Sequence, residues 1–274
     1  MSNVVLLEKR NKIAYVTINR PEKRNAINHE VRKGLAAAWV ECRDDRDVWT
    51  IILTGAGEQS FCAGGDLKEN LQRSRGEVRI PEMATPEGRA MQKYATYFKH
   101  IGLYKPIIAA VNGYAAGGGF GLALGCDIRL CSENAQFGAS EVRWSHMAGG
   151  QAYILPRTVP LGWAFWLCLT GQFIDARTAY HIGIVQGVYP QAQLMAEATK
   201  LAETINANGP IVVQGTKEYI YNSLDMPLSQ AETIEGVYYA RIRQSPDYDE
   251  GSAAFVERRR PDFSGEPTGA RPQG

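Results

Sequence analysis

Three observations in the sequence predict an α/β fold whose last third is helical. Short apolar runs at residues 4–8, 13–18, 49–54, 106–111 and 127–131 alternate with amphipathic or polar stretches through the first two thirds of the chain. Beyond about residue 155, apolar residues recur mostly at helical spacing. Two strand-like runs lead into glycine clusters, over 50–66 and 106–121, a weak duplication of one strand–strand–helix unit without a strict period.

Taken in order, residues 4–8 and 13–18 are β-rich and joined by Lys9-Arg-Asn-Lys12, a hairpin-like opening. The loop Arg20-Pro-Glu-Lys-Arg-Asn25 carries three cations. Val31, Leu35, Ala38 and Trp39 space a helix over 28–43. A buried strand at 49–54, a loop at 55–60 and Phe61-Cys-Ala-Gly-Gly-Asp66 follow. Residues 73–86, polar with two prolines, read as a mobile loop, and 87–102 as a helix with Met91, Tyr94 and Phe98 on one side. Helices are expected at 155–169, 176–181, 191–208, 211–224, 228–244 and 251–258. The boundaries assigned are 1–200 for the core, 201–262 for a C-terminal helical region and 263–274 for a flexible Pro/Gly-rich tail.

With 274 residues, 45% hydrophobic and 22% charged, the chain has material for a real core. A formal net charge of +1 provides no global field for nucleic acid or a membrane surface. No 18-residue apolar run and no basic-then-apolar start is present, so a soluble, cytoplasmic chain is expected. Cys42, Cys62, Cys126, Cys131 and Cys168 are odd in number and lack CxxC spacing, which predicts free thiols and no metal site.

The apolar run 106–111 ends at Asn112-Gly113, and Gly117-Gly-Gly119 leads into an Ala/Leu-rich helical stretch. Each glycine inside a helix would cost roughly 1 kcal/mol relative to alanine. Between a strand and a helix start they instead admit a ligand to the backbone and leave N–H groups open at a positive helix end, an anion or oxyanion site in outline. Gly119, Gly121 and Gly125 with Glu141 downstream also suggest a dinucleotide fingerprint, but the motif sits mid-chain and leaves the glycines before Asp66 without a role.

Phe61-Cys-Ala-Gly-Gly-Asp-Leu-Lys-Glu69, Ala110-Val-Asn-Gly-Tyr-Ala-Ala-Gly-Gly-Gly119 and Ala135-Gln-Phe-Gly-Ala-Ser-Glu141 together resemble the enoyl-CoA hydratase/isomerase (crotonase) superfamily, over about residues 4–263. The resemblance implies a crotonase-like spiral of ββα units, a C-terminal helical trimerisation region, and homotrimers or dimers of trimers. It also implies acyl-CoA thioester substrates, with coenzyme A entering as part of the substrate and no bound cofactor. The Gly65 and Gly118 N–H groups match the family's oxyanion donors, and Glu141 one of the two carboxylates of its hydratases. Gly121 stands where those hydratases carry the second. Asp66, Glu69 or Glu87 are candidates to replace it. Lys23, Arg24 and Lys68 match positions near the CoA phosphates, where cations suit the anions. Ala26, Ala63 and Asp66 match the frame of the adenine-binding loop. His146 lies where members touch the acyl group, and Trp144, Trp163 and Trp166 suit an acyl pocket, a trimer interface or core. The implied activity is an enoyl-CoA hydratase/isomerase working through a thioester enolate with a single glutamate. The alternatives are an acyl-CoA or carbon–carbon hydrolase in which Glu141 activates water, and an acyl-CoA-binding protein impaired in turnover.

Overall fold

The computed structural model describes residues 3–77 and 101–266. Strands β1 (Val5–Arg10) and β2 (Ile13–Ile18) form an antiparallel hairpin turned by Asn11 and Lys12, at φ 50° and 62°. A two-residue turn of that hand matches the twist of its strands. From β2 the large sheet continues in parallel through β3 (Thr50–Gly55), β5 (Ile107–Val111), β7 (Ile128–Ser132) and β10 (Gly187–Tyr189). A smaller sheet holds β4 (Ser60–Cys62), β6 (Tyr114–Ala116), β8 (Gln136–Gly138) and β9 (Ile174–Asp175) in that order. Each circuit therefore gives one strand to the large sheet and the next to the small one, with β3, β5, β7 stacked beside β4, β6, β8.

The corners of the spiral need hydrogen-bond partners, because both sheets are buried there. Asn112, between β5 and β6, donates to the carbonyls of Gly55 (2.8 Å) and Gly57 (2.6 Å) and accepts from Gly55 N–H (3.2 Å). Asn25 does the same for the preceding circuit, donating to Ala56 and Ser60 at 3.0 and 2.7 Å. The Asn-Gly pair read as a turn is thus a buried corner post.

All six residues of β3 are buried, which explains its unbroken apolar run. One side chain set packs with Trp39, Phe61, Phe120 and Phe137 in the main core. The alternate set, including Ile52, Ile108 and Leu130, faces Leu194, Ala198 and Ala202 of a C-terminal helix at Leu194–Asn206. The helix expected at 28–43 is α1 (His29–Asp44), capped by Asn28 accepting from Val31 N–H at 3.0 Å.

Residues 155–169 differ from expectation: they belong to two helices, Gln151–Thr158 and Leu161–Thr170. Pro160 caps the second and cannot continue the first, having no N–H to donate. The 191–208 segment opens as a short 3-10 turn at Gln191–Gln193, and the final helix starts earlier than predicted, at Pro246, where Ser245 caps it. Most of the loop read at 73–86 and the helix at 87–102 lie outside the described residues; Arg73 and Ser74 still belong to α2 (Leu67–Ser74). The helix Pro210–Ser223 is pinned to the sheet through Asp127, which takes a salt bridge from Lys217 at 2.6 Å and the Tyr221 hydroxyl at 2.7 Å. A buried pair of this kind fixes placement more than it adds net stability. Ser264 and Gly265 donate backbone N–H groups to Asp247 at 2.8 and 3.0 Å, tying the start of the tail to the last helix. Among the described residues no helix is long and apolar enough to cross a membrane.

Candidate active site

The three successive glycines have three different physical roles. Gly117 sits at φ 51°, ψ −127°, and a Cβ there would lie 3.2 Å from the Glu141 carboxyl carbon. A Cβ at Gly119 would collide with the Cys62 carbonyl on β4. At Gly118 the nearest atom to an added Cβ is Gly65 N, 3.8 Å away, so of the three this glycine alone has room for a methyl group. Gly118 is also the first residue of α3 (Gly118–Gly125), which has no side-chain cap. Its N–H is therefore one of the helix's orphan donors.

The earlier loop arrives from the other side. Gly64, at φ 92°, passes so close to Ala116 that a Cβ would stand 2.7 Å from its carbonyl oxygen. Ile27 bonds to the residues on either side, with Ile27 N–H donating to Gly64 O at 2.7 Å and Asp66 N–H to Ile27 O at 3.0 Å. Between them the Gly65 N–H is left without a partner among the described residues. Two open N–H groups, on loops in van der Waals contact, thus border one cavity of about 360 Å³.

Glu141 enters that cavity from a 3-10 turn, Ser140–Trp144, directly after β8. Gln151, 1% exposed at the start of its helix, donates through Nε2 to Glu141 Oε1 at 2.9 Å and to the Gly117 carbonyl. The other carboxylate oxygen, Oε2, is buried without a hydrogen bond. Burial holds the Glu141 carboxyl above its ordinary range, opposed by the Gln151 hydrogen bond and the field of His146. One oxygen is positioned and the other is free to exchange a proton.

The structure brings Gly65, Gly118, Glu141, Ala63 and His146 to the same cavity, His146 from an exposed position, and Trp144 and Met147 extend its wall. Lys23, Arg24, Ala26, Asp66 and Lys68 do not line it. Lys23 and Lys68 are exposed, and Arg24 borders a separate polar cleft with Glu58, Tyr114 and Asn134. The Asp66 carboxylate is already engaged, capping α2 at Glu69 N–H (3.4 Å) and pairing with Arg20 at 3.3 Å. Glu69 accepts from His29 N–H at 3.0 Å, and Glu87 lies outside the described residues. Gly121 is buried in α3, and a Cβ on it would touch the Gln151 amide at 3.5–3.7 Å. The place from which a second carboxylate would branch is covered by that amide.

Sequence reasoning missed Gln151 and Arg32. Nothing local announces Gln151, whose partners lie 10 and 34 positions away. Arg32 left a trace: with Leu35 and Trp39 it occupies one helical stripe, an arginine on an otherwise apolar face. All five cysteines are free. Burial pushes the Cys62 thiol, beside the site, up to about 12, so it is no nucleophile at neutral pH. Among the described residues no group could hold a metal ion.

Comparison with known proteins decides the family. Residues 8–266 match the model of the enoyl-CoA hydratase/isomerase family. The chain belongs to that family, within the crotonase superfamily. It is 39% identical over 262 residues to the (E)-benzylidenesuccinyl-CoA hydratase of Thauera aromatica, covering 95% of this chain and 99% of that one. It is 38% identical to the short-chain-enoyl-CoA hydratase of Clostridium acetobutylicum, over 94% of this chain and 96% of the relative. The crystal structure of an enoyl-CoA hydratase from Mycobacterium marinum matches with a TM-score of 0.86 at 36% identity, covering 97% of this chain and all of that one. The enzyme class and the spiral with its C-terminal helices follow from these matches.

Proposed function

We propose that the protein adds water across the double bond of 2-enoyl-CoA thioesters, using Glu141 as its only carboxylate acid/base. The observation that carries this reading is Glu141 itself, with one oxygen fixed by Gln151 and the other buried and unpartnered beside the open Gly65 and Gly118 N–H groups. The relatives named as hydratases support it.

In this reading the Glu141 carboxylate takes a proton from water as the water oxygen bonds to Cβ. The electron pair of the double bond moves to the thioester oxygen, giving an enolate between the two N–H donors. Glu141 then returns the proton to Cα, so that one water is added and the enzyme is restored. Donors aimed at the developing charge stabilise the enolate more than the neutral thioester, by about 3–4 kcal/mol for each where such groups have been removed. A raised pKa suits a carboxyl that must both accept and give up the proton. Lys23, Arg24 and Lys68 supply charge for the CoA phosphates outside the cavity, and His146 and Trp144 border the acyl group. Exposed apolar side chains, Phe255 (86%), Val256 (79%) and Leu228 (76%) among them, support assembly as a trimer or paired trimers of a cytoplasmic enzyme.

The test is Glu141→Gln assayed with crotonyl-CoA. The expected result is a kcat lower by about 10²–10⁴-fold with binding of a saturated acyl-CoA kept. An unchanged kcat would sink the mechanism. Release of free CoA thiol by the wild type would instead identify a hydrolase. Tight binding without turnover across a broad thioester panel would identify a binding protein.

A further inference from the structure

The lining of the cavity carries a charge that simple enoyl groups do not call for. Arg32 on α1 and Arg73 in the last turn of α2 both line the space that holds Gly65, Gly118 and Glu141. Arg32 is half-buried, and among the described residues its guanidinium makes no hydrogen bond and no salt bridge. Glu69, whose charge acts on it, accepts the His29 N–H at 3.0 Å. Arg73 has further contacts of its own and contributes a like charge. Burial, with Arg73 adding to it and Glu69 opposing, pulls Arg32 below the usual guanidinium value. A guanidinium stays protonated in proteins, so a half-buried one without an anion is an unfavourable arrangement that a bound anion would relieve.

We propose that the acyl group of the substrate carries a second negative charge, a carboxylate, which Arg32 receives with Arg73 beside it; the enzyme is then selective for CoA monothioesters of unsaturated dicarboxylic acids. This rests on the acyl-CoA reading of the site. The anion belongs to the acyl end and not to coenzyme A because Arg32 shares its cavity with the reacting atoms' partners, whereas Lys23, Arg24 and Lys68 lie outside that cavity. A planar guanidinium also matches a carboxylate through paired hydrogen bonds. The apolar part of the lining, Ile27, Leu67, Leu122, Trp144 and Met147, suits the hydrocarbon of the acyl group.

The test compares binding of glutaryl-CoA and pentanoyl-CoA, equal in chain length and differing in one carboxylate, to the full chain by titration calorimetry. The wild type should favour glutaryl-CoA at least about tenfold, Arg32→Leu should erase or invert the preference, and Arg32→Lys should keep part of it. Equal weakening of both ligands in Arg32→Leu would assign Arg32 to the CoA phosphates and overturn the proposal, as would no change in either. Thermal melts check that each variant folds, and the lysine variant carries the test should the leucine variant not. Crotonyl-CoA turnover is read separately. Turnover of crotonyl-CoA without a glutaryl preference defeats this inference alone, and a glutaryl preference with no hydration of either crotonyl-CoA or its carboxylate-bearing counterpart glutaconyl-CoA defeats the hydration mechanism alone.

Discussion

The two strand–glycine–helix units of the spiral resemble each other in sequence and differ in how their helices begin. In the first, Gly64-Gly65 is followed by Asp66, whose carboxylate caps α2 and holds Arg20. In the second, Gly117 precedes α3 with no side chain to cap it, and every residue from Gly119 to Leu124 is buried. One helix end is closed by its own sequence, so the open N–H this unit brings to the cavity is that of Gly65. The other stays open by having no side chains at all. The same motif thus yields a side-chain-capped helix start in one copy and an uncapped one in the other, and the cavity forms where they touch.

The largest effect should come from the glycine that holds the two units together. Gly119→Ala would drive a methyl into the Cys62 carbonyl, and a loss of about 3 kcal/mol in urea unfolding, or failure to fold, is expected. Gly118→Ala meets nothing closer than 3.8 Å and should fold normally while its methyl obstructs the thioester, lowering kcat/KM by about 10²-fold. If Gly118→Ala also unfolds the chain, the division of labour among the three glycines is wrong. Asp66→Ala removes a cap and the Arg20 pair; a melting shift corresponding to about 1 kcal/mol, with kcat largely retained, would separate the cap from the chemistry.

Two smaller effects concern Glu141. Its folded-state pKa is raised, so the charged form is the strained one, and the strain is fully present above that pKa and fades as pH falls toward the unfolded value. Glu141→Gln should therefore raise the melting temperature at pH 8 and lose that gain near pH 4; a gain independent of pH would contradict the assignment. Gln151 donates to the ionised carboxylate and so lowers its pKa against the dominant effect of burial. Gln151→Met should move the acid limb of the kcat/KM profile to higher pH, whereas a merely structural Gln151 would change melting and leave the limb in place.

Much of the fold was legible because it is written at short range. Short apolar runs and 3.6-residue spacing located five of the six strands of the large sheet, all but the three-residue β10, and α1. The misread segments were those where a proline overrode an apolar pattern, as at Pro160, or where a helix began on polar residues before its apolar stretch, as at Pro246. At the site, Gly65, Gly118 and Glu141 were found from motifs, and the structure gathers them around one cavity. The cations read with them were not gathered there: Lys23, Arg24 and Lys68 sit near the motifs in sequence, but their side chains leave the cavity for solvent or a separate cleft.

By itself the sequence determined the backbone part of the site. Glycines at a strand-to-helix junction let a ligand approach the backbone, and the first N–H groups of the helix have no intrahelical partner, consequences that depend only on neighbouring residues. Tertiary structure alone decided what surrounds those groups. It laid the Gln151 amide over Gly121 and against Glu141, and it turned Arg32 into the cavity. Those contacts join positions ten or more residues apart, where no periodicity relates one side chain to another, and only the packing of the spiral brings them within a few ångströms.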